Sequence, residues 1–77
     1  MTTGKAWTIR VKGIVVHSDA HGRPVAVPRG TYTLTESHSG DYLVYGGKHP
    51  TFTLTAKDAA TYIRGGDLDI ESGGAWP

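Results

Sequence analysis

The stretch Thr51-Phe52-Thr53-Leu54-Thr55-Ala56-Lys57-Asp58-Ala59-Ala60-Thr61-Tyr62-Ile63-Arg64-Gly65-Gly66-Asp67-Leu68-Asp69-Ile70-Glu71 changes its hydrophobic period twice. Phe52 and Leu54 alternate with threonines, the two-residue period of a half-buried strand. At Thr55 the pattern becomes helical. Thr55 is an N-cap residue type and Asp58 follows three positions later, a capping box with Asp in place of Glu. Ala59 and Ala60 favour helix, Tyr62 and Ile63 supply an apolar end, and Gly65-Gly66 is a C-terminal stop. The spacing predicts a helix over 56–64. Leu68 and Ile70 then alternate with Asp67, Asp69 and Glu71, which predicts a last short strand with an acidic outer face.

Upstream, the two-residue period dominates. Trp7, Ile9 and Val11 alternate with Thr8, Arg10 and Lys12. After Gly13 the apolar set reads as Ile14 and Val16, one residue out of phase. A glycine at a phase shift predicts a β-bulge or sharp bend. The segment 18–24 is rich in turn formers and reads as a loop. Val25-Ala26-Val27 lies between Pro24 and Pro28, which lack amide donors, so it is expected at a sheet edge. Tyr32 and Leu34 alternate with threonines over 31–36. Tyr42-Leu43-Val44-Tyr45 is a strand apolar on both faces, flanked by turns at 37–41 and 46–50. The expected core is Trp7, Ile9, Val11, Ile14, Val16, Tyr32, Leu34, Phe52, Leu54, Ile63, Leu68 and Ile70.

Five or six short strands with tight turns, and one short helix before the last strand, predict a mostly β chain folded as a small antiparallel barrel. In architecture this order resembles SH3-like barrels more than OB-folds. No family motif accompanies the resemblance, so it carries no functional residue. Residues 1–72 are expected to form the single domain and 73–77, with Gly73-Gly74, a flexible tail.

The chain has 77 residues, a net charge of +1 and no cysteine. The missing cysteines exclude a disulfide scaffold, a thiol nucleophile and a zinc ribbon. Ile14-Val15-Val16 is the longest Val/Ile/Leu run, against about 20 apolar residues needed to cross a bilayer. No signal-peptide pattern opens the sequence. A cytoplasmic domain without membrane contact is expected, of the kind found as small stand-alone units in bacteria and phages. Residues 1–50 carry a balance of +3 and residues 51–77 one of −2. Folding that interleaves the two segments would cancel this asymmetry.

His17-Ser18-Asp19-Ala20-His21 is the sharpest local pattern. In an extended segment, residues i, i+2 and i+4 share a face, which would gather two imidazoles and a carboxylate. The segment reads as a turn, however, and a turn scatters them, so no metal and no cofactor is expected. Ser18 between His17 and Asp19 does not make a triad, because sequence neighbours do not face each other. Asp67, Asp69 and Glu71 read as a solvated strand face that protects an edge. Gly46-Gly47-Lys48 lacks P-loop spacing and reads as a hairpin turn. The outer threonine rows are explained by strand propensity. Catalysis is therefore not expected.

What remains is a non-enzymatic binding module. Tyr42 and Tyr45 must include at least one tyrosine outside the core, and Tyr and Arg are enriched at binding hot spots. The expected contact residues are Arg23, Arg29, Tyr42, Tyr45 and Lys48. A protein partner or self-association is the favoured reading. The alternative is nucleic acid held by a basic rim and an exposed tyrosine, which a sequence pI near 8.1 supports only weakly.

Overall fold

The computed structural model describes residues 5–37, 39–74 and 76. His38 of the expected 37–41 turn, and Ala75 and Pro77 of the expected tail, lie outside them. Seven strands and one helix follow in the order β1 (Ala6–Val11), β2 (Val16–Ser18), β3 (Pro24–Ala26), β4 (Gly30–Glu36), β5 (Tyr42–Tyr45), β6 (Phe52–Leu54), α1 (Ala56–Gly65) and β7 (Leu68–Ser72). Five strands form an antiparallel sheet in the order β6-β5-β4-β1-β7, while β2 and β3 pair separately as a hairpin. The chain is mostly β, with its helix directly before the last strand. Among the described residues no hydrogen-bonded ladder joins β6 to β7. Instead α1 packs against both of them, and β2 touches β6. No helix among the described residues is long and apolar enough to cross a membrane.

Alternation sets the two faces of the sheet. Trp7, Ile9, Val11, Tyr32, Leu34, Tyr42, Val44, Phe52, Leu54 and Leu68 point to one face and are buried. Ala59 of α1, with Val15 and Val27 flanking the hairpin, completes that core, and Tyr62, Ile63, Ile70 and Trp76 pack at its margin. Trp76 lies 5.1 Å from the ring of Trp7 and 4.9 Å from that of Tyr42, between ring centroids.

The opposite face carries threonines in lateral rows. Thr53, Leu43, Thr35 and Ala6 stand side by side across β6, β5, β4 and β1, and Tyr45, Thr33, Thr8 and Ser72 do so across β5, β4, β1 and β7. No element covers this face among the described residues.

The helix ends are built as expected. Thr55 Oγ1 accepts the Asp58 N–H at 3.1 Å. At the other end Gly66 is left-handed, with φ of 86°. Its N–H donates to Ile63 O at 3.2 Å and that of Asp67 to Tyr62 O at 3.0 Å, the paired bonds of a Schellman stop. This stop turns the chain directly into β7.

Two expectations around Gly13 part company. The N–H groups of Lys12 and Gly13 both donate to Asp67 O, at 2.9 and 3.2 Å, the two-against-one pattern of a bulge. The core residue that follows is nevertheless Val15, and Ile14 is 75 % exposed. The chain leaves the sheet at this point, so the sheet's alternation no longer dictates which side chain turns inward. Val15 O instead accepts Val27 N–H at 2.9 Å, which extends the hairpin and turns Val15 to the core. Val16 is only half-buried.

Candidate functional site

The hairpin turn is organised by Asp19. Its Oδ1 accepts the N–H of His21 at 2.8 Å and of Arg23 at 2.9 Å, and its own N–H donates to Arg23 O at 2.9 Å. A carboxylate committed to the backbone holds the tight turn. The turn therefore separates His17, Asp19 and His21. Among the described residues no three metal-ligating side chains come together.

Tyr32 links two other turns. Its hydroxyl donates to Pro28 O at 2.7 Å, fixing the approach from β3 to β4. Its ring lies so close under Gly47 that a Cβ there would collide with it, so the β5–β6 turn takes its shape from a glycine. Burial pushes the Tyr32 phenol above its ordinary pKa. Between these turns opens a cleft of about 350 Å³. Arg29, Gly30 and Thr31 line it from the start of β4, and Gly46, Gly47 and Lys48 from the end of β5.

Two cations thus reach one cleft from residues 19 positions apart in the chain. Among the described residues the ion pairs are Arg10 Nε with Glu71 at 3.2 Å and Lys12 Nζ with Asp69 at 3.3 Å. Arg29 and Lys48 take part in neither. The same pairs account for the charge asymmetry along the chain, since β1 lies directly beside the acidic β7. They also interrupt any basic rim running from the cleft across β1.

The five expected contact residues divide. Arg29 and Lys48 meet at the cleft. Tyr45 is 40 % exposed on the outer sheet face and directly precedes Gly46. Its neighbour on that face of β5, Leu43, is 37 % exposed, an apolar contact that the sequence reading passed over. Arg23 is exposed in the β2–β3 turn and is not among the cleft-lining residues. Tyr42 is buried at 6 % exposure, edge-on to Trp7. Burial first, and then the nearby Glu36 carboxylate, push its hydroxyl up. The β4–β5 register decides between the tyrosines, because Tyr45 pairs with Thr33 of the outer face while Val44 pairs with Leu34 of the core.

A further cluster was not visible in the sequence. His17 Nε2 and His49 Nε2 lie 2.8 Å apart, and both rings pack on Phe52.

No protein-family model, no curated protein and no solved structure matches this chain.

Proposed function

We propose that this protein is a non-catalytic protein-interaction module whose contact surface is the Arg29–Lys48 cleft together with Leu43 and Tyr45. The observation that carries the reading is the convergence of two cations, free of ion pairs among the described residues, on a cleft whose lining residue Gly46 directly follows the exposed Tyr45. Two cationic donors beside a small cleft suit a carboxylate, because charge-assisted hydrogen bonds are the stronger ones. Tyr45 and Leu43 add apolar area of the type found at binding hot spots. The partner segment is then acidic with an apolar flank.

Nucleic acid fits this surface less well. Affinity for nucleic acid grows with the number of phosphates neutralised, and Arg10 and Lys12 are already engaged by Glu71 and Asp69. Of the six other Lys and Arg residues, only Arg29 and Lys48 line the cleft.

The architecture also supports an SH3-like barrel as our reading of the fold. The first strand lies between the last strand and β4, β4–β5–β6 is a meander, and α1 touches both outer strands.

An amide–nitrogen NMR titration tests the function. A peptide containing Asp-Glu pairs flanked by Leu or Trp is expected to shift Arg29, Tyr45 and Gly46 to Lys48. The double variant R29Q/K48Q is expected to lose that response. A short single-stranded DNA that binds the same residues more tightly, with affinity falling steeply in salt, would replace this reading with the nucleic-acid one. Peptide binding that survives both R29Q/K48Q and Y45A would remove the surface.

A further inference from the structure

His17 and His49 come from β2 and from the turn before β6, 32 residues apart. Their Nε2 atoms face each other at 2.8 Å. The His17 Nδ1 lies 3.2 Å from Ser18 O. A carbonyl only accepts, so His17 carries its proton on Nδ1 and presents a bare Nε2 lone pair to its partner. An imidazole whose other nitrogen donates to a carbonyl is the usual orientation of a metal-ligating histidine. Phe52 holds both rings, stacked on His17 at 4.3 Å and 11° and edge-on to His49 at 5.4 Å and 76°. Both histidines are half-buried, which limits the rotamers each can take while leaving one side open to solvent.

We propose that His17 and His49 form a two-imidazole site for a borderline first-row divalent ion, with Cu2+ bound more tightly than Zn2+. In the metal-free pair one proton lies between the two Nε2 atoms, donated by His49. When the ion enters, His49 takes its proton on Nδ1 instead, and both Nε2 lone pairs point at the metal. Each imidazole ligates through a neutral ring. Metal–nitrogen bonds of about 2.0–2.1 Å place two ligand nitrogens roughly 3.3 Å apart at the tetrahedral angle of zinc and roughly 2.9 Å apart at the right angle of square Cu2+, so copper needs almost no separation of the rings from their 2.8 Å contact. Imidazole suits copper, nickel and zinc, and copper heads the order of affinity. Water, or a side chain from a bound partner, fills the remaining positions. Asp19 does not, because among the described residues no third His, Asp or Glu side chain gathers with the pair. This site does not depend on the Arg29–Lys48 cleft.

The test uses the whole chain, first stripped of metal with EDTA and then titrated with Cu2+ and, separately, Zn2+. The expected result is saturable 1:1 binding, with a Cu2+ spin-resonance spectrum split by two equivalent nitrogens. Zn2+ is expected to shift the ring resonances of His17 and His49. The variants H17Q and H49Q are each expected to weaken binding by about tenfold or more, while H21Q leaves it unchanged. The splitting is read on the unaltered protein, so it stands even if a variant folds poorly. A copper spectrum with one nitrogen, binding lost in H21Q, or no saturation below about millimolar metal would overturn the proposal.

Discussion

The five-stranded sheet and the β2–β3 hairpin sit side by side and are held in different ways. In the sheet, Ile9 and Leu34 have no exposed surface, and Trp7, Val11, Val44 and Leu68 are at 1 %. The hairpin contributes no fully buried residue within its strands. Val15 and Val27 are buried at its base, and one phenol grips its strands: Tyr62 Oη donates to Val16 O at 2.9 Å and accepts the Val16 N–H at 3.1 Å. His17 adds its stack on Phe52 and its contact with His49. Apolar burial is non-directional and shared among many neighbours, so the sheet does not hang on any one contact geometry. The hairpin depends on a few directional contacts, and its opening is local.

The sharpest way to break this contrast is Leu34→Ala. Deleting a fully buried leucine is expected to cost about 2–5 kcal/mol, seen as a lower denaturation midpoint for every probe at once. A local effect confined to β4 would show that the sheet is not one cooperative unit.

Tyr62→Phe addresses the hairpin. It removes the partner of both backbone groups of Val16, at an expected cost of about 1–3 kcal/mol. Amide exchange should accelerate in 16–18 and 24–27 while β1 and β4 keep their protection. Equal acceleration in β1 would mean that the hairpin and sheet open together.

Alkaline pH probes the sheet without mutation. In the unfolded chain the phenols of Tyr32 and Tyr42 ionise near the ordinary tyrosine value of 10.0, and in the fold both hold their protons to higher pH. Their contribution is fully present below pH 10 and is lost as pH rises through the folded values. The slope approaches about 1.4 kcal/mol per pH unit for each group. Denaturation midpoints from pH 9 to 11 should fall in the native protein and fall less steeply in the Tyr32→Phe variant, where Tyr42 alone remains.

The smallest effect is expected at the β1–β7 ion pairs. Lys12→Gln removes a bridge whose partners are both about half exposed, and such pairs contribute from nothing to about 1 kcal/mol. The difference in unfolding midpoint should shrink further in 0.5 M salt.

The two regions were also unequally legible. Thr55, Asp58 and Gly65-Gly66 announced both ends of α1 because caps are local chemistry. The alternation in 7–11, 31–36 and 52–54 announced half-buried strands for the same reason. Strand Tyr42–Tyr45, apolar on both faces, left its orientation open until its register against β4 put Tyr42 inside and Tyr45 outside. Tyr62 read as the apolar end of a helix, and nothing local announced that its hydroxyl would clamp Val16. The local pattern pairs His17 with His21, whereas the fold pairs it with His49.

Composition and alternation therefore determined a mostly β chain with a capped helix before its last strand, a core of Trp7, Ile9, Val11, Tyr32, Leu34, Phe52, Leu54 and Leu68, and the candidacy of Arg23, Arg29, Tyr42, Tyr45 and Lys48 as contact residues. These follow from propensity and periodicity, which act over a few neighbouring residues. Tertiary structure alone decided that Val15 rather than Ile14 is buried, that β7 neutralises Arg10 and Lys12, that Arg29 and Lys48 line one cleft, and that His17 faces His49. Each of these joins residues distant in the chain. Such contacts are set by how strands stack and where turns fold back, and no local pattern encodes that.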